Sequence, residues 1–544
     1  MMSRQSAARC LRRASALALI LGAVSLTTPV RSAQAMEGFA LTGFKTAVAE
    51  GAARDRDLAA YYRARDFAPI WTGAGPEFTA RRAALLEAIR MMPLHGLPAD
   101  KVDADDLLAR MGAAVSDRDR GLLDVELSRI WLDIAGDLQT GILTPSEVDS
   151  EIVREVPLRD AAQYLDGITG TAPQSFVAAL PPQRAEYRRL LRARLRMQAE
   201  MAAGGYGPVV QASKLEPGDQ GRAVIALRDR LVRMGYLAPR ASARYDSALE
   251  AAVQQFQRDA GIEPDGVVGP ATLSAINTSQ EERLRAITVA MERERWINRP
   301  LGERHVWVNL PDMHAKLIDH GEVVFSTRSV IGKAMDGRRS PEFSDVMEHM
   351  IINPTWNVPR SIAVNEYLPQ LKANPYAAGH LNLIDARGRT VPRDAVDFTQ
   401  FTRANFPFDI KQPPSRSNAL GLVKFMFPNA NNIYLHDTPS KSLFARSVRA
   451  FSHGCIRLQD PFDFAYTLLS YQEADPQGVF QSKLSTGRET QVDLREPLQV
   501  HLVYRTAFTD TRGHVHYRND VYGRDAKVWS ALAAQGVVLD QGNS

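Results

Sequence analysis

The chain carries two cysteines in 544 residues, Cys10 and Cys455, and the first falls inside an export leader. Arg4, Arg9, Arg12 and Arg13 precede an apolar run from Ala14 to Leu26, and the small-residue triplet Ala33-Gln34-Ala35 follows. This is the pattern of a secretory signal over residues 1–35, cleaved after Ala35. Its apolar run is ~13 residues, short of the ~20 that span a bilayer. A mature chain with one thiol cannot hold an internal disulfide, so its fold has to rest on hydrophobic cores. Material for them is present, since 45% of residues are hydrophobic and 24% charged, unlike a disordered chain. At ~100–200 residues per domain, the length predicts three or four domains. The leader holds five arginines and no acid, so its loss takes the formal charge from +4 to −1. Without bulk basicity nothing points to nucleic acid as a partner. No later segment is apolar enough to span a membrane, so the mature chain is not expected to be an integral membrane protein. No CxxC or HExxH spacing occurs, and no metal site is expected.

A lone thiol in an oxidising compartment is either a buried, inert side chain or a nucleophile. Cys455 lies in Phe451-Ser452-His453-Gly454-Cys455-Ile456-Arg457-Leu458, with a second histidine upstream in Ile433-Tyr434-Leu435-His436-Asp437. An imidazole that takes the thiol proton makes a thiolate–imidazolium pair competent for acyl transfer. Ile433-Tyr434-Leu435 reads as a short strand that delivers His436 at its end, and the stretch from Asp437 to Ser452 as a loop. Gly454 permits a tight turn before the nucleophile and leaves peptide N–H groups to face a developing oxyanion. Pro461 marks a helix start.

His436 followed by Ser452-His453-Gly454-Cys455, with Arg457 two residues on, resembles the signature of the L,D-transpeptidases, whose YkuD-type catalytic domain acts on bacterial cell walls. The resemblance implies that Cys455 is the nucleophile and His436 the general base. Asp437 matches the position that orients the imidazole, commonly through its backbone carbonyl. His453, Gly454 and Ser452 belong to the oxyanion and substrate loop, Tyr434 lines the site, and Arg457 supports the loop or contacts a substrate carboxylate. Many family members carry Asn at the Arg457 position, which leaves that role open. His453 also reads as a hydrogen-bonded turn residue, Tyr434 as a packing aromatic and Asp437 as a turn cap. The implied reaction is attack on the third-position diamino acid carbonyl of a tetrapeptide stem, release of D-alanine and transfer to an amine of another stem. Water or an envelope-protein amine are alternative acceptors, no cofactor is implied, and the partner is peptidoglycan in the periplasm or cell envelope.

The expected fold class is multidomain α+β. A mainly β catalytic domain spans 304–485, with Asp319-His320-Gly321-Glu322 as a hairpin turn. The prolines in Met350 to Pro359 demote that stretch to an edge or loop, and an irregular insertion at 361–418 is expected to cap the cysteine. Apolar spacing at Val224, Leu227 and Leu231 and at Leu249, Val253 and Phe256 predicts a small helical domain over 214–278. Its Phe256-Gln257 and Asp265-Gly266 pairs resemble a three-helix peptidoglycan-binding domain. A linking helix is expected over 281–299, with Leu284, Ile287 and Met291 on one side and charges elsewhere. Residues 40–205 read as a helical domain resembling the scaffold of the large transpeptidases, with Tyr61, Tyr62 and Trp71 as core. Residues 495–544 are expected to add strands and a helix that complete the unit.

Overall fold

A computed structural model describes residues 42–539; the leader expected at 1–35 lies outside the described residues. Among these residues no helix is long and apolar enough to cross a membrane. The chain folds as mixed α and β, with a helical scaffold, a small three-helix domain and a β-rich domain.

In the scaffold, the helices Arg56–Ala64, Pro76–Leu94 and Asp117–Thr140 pack around Tyr62, Trp71, Leu85 and Trp131. The buried carboxylate of Asp124 lies among them. It accepts hydrogen bonds from the Tyr62 hydroxyl at 2.7 Å and from the Ile70, Trp71 and Thr72 N–H groups at 2.8 to 2.9 Å, which compensates its desolvation. The aromatics of this region are core.

The three-helix domain comprises Arg222–Arg233, Ser247–Asp259 and Pro270–Asn277 around Leu227, Leu231, Val253 and Phe256. Its sequence pairs have a structural reason. The Gln257 amide donates to Asp265 Oδ1 at 2.8 Å and the Val267 carbonyl at 2.9 Å, and accepts from the Gly266 N–H at 2.9 Å. Gly266 turns there at φ +74°, a conformation in which glycine has no steric cost.

The β-rich domain is a closed sheet. Its strands run Glu322–Gly332, Ile456–Leu458, Leu435–His436, Val423–Met426, Phe343–Ile352, Thr490–Val503, Arg304–Asn309 and His314–Asp319, and the last pairs back onto the first. Ala450–Ser452 adds to one edge of Glu322–Gly332. His320 at φ +48° and Gly321 at φ +85° make the two-residue hairpin between paired Asp319 and Glu322, the left-handed geometry that suits the strand twist. One expectation is corrected here. Met350, Ile351 and Ile352 belong to an interior strand, paired on both sides, and the prolines only end it, beyond Asn353 at φ +51°. The sheet takes its strand Thr490–Val503 largely from the region expected to add strands to the unit.

The insertion is likewise not irregular. A small sheet of Trp356–Asn357, Asp409–Gln412, Asn382–Ile384 and Thr390–Val391 packs with the turns around 360–373 over a core of Ile362, Leu368, Leu383, Phe398 and Ile410. Pro369 lies in a continuous helical run from residue 360 to 373, just after a π-helical turn over Ala363–Tyr367 that accommodates the missing N–H.

The helix Gln280–Trp296 departs furthest from expectation. Its charges face inward, with Glu292, Arg293, Glu294 and Arg295 all buried. Arg293 holds both oxygens of Glu342 at 2.8 Å and Asp525 at 2.8 Å, while Arg295 pairs with Glu292 at 2.8 Å and with the Tyr187 hydroxyl at 3.0 Å. Glu294 binds Arg184 and Arg505, and Glu292 also accepts the Ile142 N–H at 2.9 Å. One helix therefore joins the scaffold, the sheet and the C-terminal helix Arg524–Ala534.

Candidate active site

The sheet positions the site by strand alternation. Leu435 pairs with Phe425 on one side and Ile456 on the other, and all three point into the core. The next row, Lys424, His436 and Arg457, therefore faces away from it. Tyr434 and Cys455 stand one step earlier on the same two strands as His436 and Arg457, and the Tyr434 carbonyl accepts the Ile456 N–H at 3.1 Å. Cys455 is half-buried, and its Sγ lies 3.6 Å from the Asn432 carbonyl.

His436 is 4% exposed, and its Nδ1 lies 2.5 Å from the Asp437 carbonyl. A carbonyl only accepts, so Nδ1 carries a proton, and the Leu420 backbone also favours the protonated ring. The Asp437 side chain turns elsewhere, to the Leu422 N–H at 2.9 Å and the Lys441 ammonium at 2.8 Å. The Tyr434 ring stands 5.6 Å from the imidazole.

The loop before Cys455 is held from three sides. Ser452 Oγ donates to the Cys455 carbonyl at 2.6 Å and accepts the Gly454 N–H at 3.1 Å. Ser340 Oγ donates to the Gly454 carbonyl at 2.6 Å. Gly454 sits at φ +118°, and a Cβ there would come within 3.1 Å of Ile433, so only glycine fits without strain. Among the described residues the Gly454 N–H is thus engaged by Ser452, while the Cys455 N–H has no acceptor. Of the peptide N–H groups expected to face an oxyanion, that of Gly454 is taken by Ser452, which staples the turn. His453 Nε2 lies 2.7 Å from Glu366 of the insertion, which also binds Arg338 at 2.6 Å. Through this contact the insertion reaches the cysteine loop.

Burial works against both charges of the expected ion pair. It pushes the Cys455 thiol up to about 11, against the lowering influence of Tyr434, Arg457 and Lys424. Burial, and then the Arg457 guanidinium, holds the His436 imidazole down to about 3. Burial thus favours the neutral thiol and the neutral imidazole over the thiolate–imidazolium pair expected from the sequence.

Lys424 escaped the sequence reading. Burial lowers its ammonium, Glu489 and Cys455 act on it only through space, and its Nζ lies 5.8 Å over the Tyr434 ring. Its signal was a lone cation between the core residues Val423 and Phe425 of an alternating strand. Glu366 was missed as well, because nothing in sequence ties it to a loop 87 residues on. Among the described residues no group of three or more His, Cys, Asp or Glu is placed to hold a metal ion.

Residues 303–492 match the family model of the YkuD L,D-transpeptidase catalytic domain, residues 56–193 that of a scaffold domain, and residues 220–276 that of a "Putative peptidoglycan binding domain". A curated relative from Haemophilus influenzae, described as "Putative L,D-transpeptidase", is 30% identical over 258 residues, which cover 46% of this chain and 51% of the relative. The chain thus spans about half the length of that relative. A solved L,D-transpeptidase from Xylanimonas cellulosilytica is 16% identical, with coverage of 55% of this chain and 100% of its own and a TM-score of 0.17, too low a likeness in shape to bear on the fold.

Proposed function

The chain carries a YkuD L,D-transpeptidase catalytic domain with a scaffold domain and a peptidoglycan-binding domain, and from that premise we propose that it cross-links peptidoglycan in the cell envelope through an acyl-enzyme on Cys455. The observation that carries this reading is His436, its Nδ1 proton committed to the Asp437 carbonyl, on the strand beside the one that Cys455 leads into. In this reading Nε2 is the acceptor for the thiol proton, on the face of the sheet that the pairing of the two strands gives to both residues.

Because both groups rest neutral, attack and proton transfer belong to one step. As Cys455 Sγ bonds to the third-residue carbonyl carbon of a tetrapeptide stem, its proton passes to His436 Nε2. The carbonyl oxygen gathers charge beside the Cys455 N–H, the donor without an internal acceptor. His436 returns the proton to the departing nitrogen of D-alanine and leaves a thioester. The side-chain amine of a second stem then attacks, gives its proton to His436, and the thiol is released. Lys424 and Arg457 favour the negative charge that passes through sulfur and oxygen. The insertion, joined to the cysteine loop through Glu366 and His453, shields the thioester from water, so that an amine competes with hydrolysis.

The test incubates the full chain and its Cys455→Ala variant with purified disaccharide tetrapeptides and identifies products by mass spectrometry. Cross-linked dimers and free D-alanine are expected from the wild type, with a loss of at least about a thousandfold in the variant. Tripeptides alone would replace transfer by hydrolysis. Equal turnover by both proteins would remove Cys455 from the reaction.

A further inference from the structure

The site holds two cations without a partner. Arg457 makes no ion pair or hydrogen bond among the described residues, and its Nε is buried unsatisfied. Lys424 makes none either; Glu489, the acid that influences it, is occupied with the Thr355 N–H. Both side chains are half-buried, where an unpaired charge costs several times what it would in water. Elsewhere buried guanidinium groups are compensated, Arg293, Arg295 and Arg505 by carboxylates and Arg230 and Arg449 by backbone carbonyls. Two unmatched cations in one row, on either side of the base, call for anionic partners that arrive from outside.

Their spacing says what those partners are. Lys424 and Arg457 both pair with His436, from opposite sides, so their backbones stand two strand spacings apart, about 10 Å. Arg457 is two residues from Cys455, about 7 Å along the strand. Lys424 is two strands over and one step along, about 12 Å from Cys455. A stem ending in a diamino acid and D-alanine carries a near and a far carboxylate by the same measure. The terminal carboxylate lies one residue beyond the scissile carbonyl, and the distal carboxylate of the diamino acid sits at the end of a flexible side arm.

We infer that Arg457 and Lys424 form a two-point clamp, Arg457 for the terminal carboxylate of the donor and Lys424 for the distal carboxylate of its diamino acid, which makes Lys424 the specificity-determining residue for a donor whose distal carboxylate is free. The inference rests on the transpeptidase reading above. It explains why both charges stay unpaired, and it selects against stems in which that carboxylate is amidated or missing, since Lys424 would then be left buried without a counter-ion.

A chemical double-mutant cycle tests it by calorimetric binding in the Cys455→Ala background, where no turnover intervenes. The ligands are a tetrapeptide with a free distal carboxylate and the same peptide amidated there. Amidation is expected to weaken binding about tenfold, and Lys424→Met to weaken binding of the free acid by the same factor. The two changes together should cost no more than either alone, with Lys424→Arg restoring discrimination and Lys424→Gln repeating the cycle with a polar side chain. Losses that multiply, or a wild-type site indifferent to amidation, would overturn the clamp. Release of D-alanine by the protein with Cys455 intact is measured separately. Absence of turnover with a closed cycle sinks the transpeptidase reading and leaves the clamp, while normal turnover with multiplying losses does the opposite.

Discussion

The helix Gln280–Trp296 and the row Lys424, His436, Arg457 both take charge out of water, and they treat it in opposite ways. In the helix Arg293 and Arg295 each meet a carboxylate, Arg293 lying between Glu342 and Asp525 and Arg295 against Glu292. In the row the cations meet none. Matched charges hold three parts of the chain in one arrangement, and their contribution lies in specifying that arrangement more than in net stability. Unmatched charges hold nothing together and keep their field for the thiol and for what binds beside it.

The comparison breaks first at Arg293. Arg293→Met strands two buried carboxylates, so a loss of about 3–5 kcal/mol is expected from urea denaturation. Adding Glu342→Gln should recover part of it, since the neutral amide has less to lose from burial. A loss below about 1 kcal/mol would mean that the helix is not the junction described here.

Arg457→Met should behave in the opposite sense. Stability should change by less than about 0.5 kcal/mol, because no partner is orphaned. The thiol, however, loses the guanidinium that lowers it. Alkylation of Cys455 by a neutral reagent at pH 8.5 should slow about tenfold, the equivalent of one pKa unit, and Lys424→Met should slow it less. An unchanged rate in both variants would remove the row from the thiol's electrostatics.

The pH-dependent effect belongs to histidines buried neutral. Burial holds His95, His436 and His501 down to about 3. The unfolded chain protonates near 6.5, so below that pH it binds more protons than the folded one. The stability these groups contribute is full above about pH 6.5 and is lost as pH falls towards 3. Melting temperature should decline across that window. His501→Asn should flatten the decline, since His501 has both nitrogens engaged, with Ser344 at 2.7 Å and the Leu301 carbonyl at 2.9 Å. An equal slope in the variant would exclude His501 as a source.

Local features of the fold were legible where the cause was local. The hairpin at His320-Gly321 and the helix faces around Leu227 and Phe256 follow from residues within a few positions. So does the Gly454 turn. The segment before Asn353 was misjudged because prolines that end a strand were counted against the strand itself. The insertion's apolar residues, spread over short strands and single turns, carry no period to read. In the site, the spacing of His436 and Cys455 was visible, but the charge state was not. A thiol at about 11 beside an imidazole at about 3 depends on how much protein surrounds them, and no motif records that.

By itself the sequence determined the leader pattern, the motif around Cys455, the resemblance to the L,D-transpeptidases and the order of the domains, because each is written in adjacent residues or a fixed spacing. Tertiary structure alone decided that Glu292 to Arg295 turn inward, that Ser452 rather than a substrate takes the Gly454 N–H, and that Lys424 stands beside His436 without a counter-ion. The physical reason is the same in each case. Whether a polar group is free depends on partners that can lie hundreds of residues away, and only the folded chain brings them within hydrogen-bonding distance.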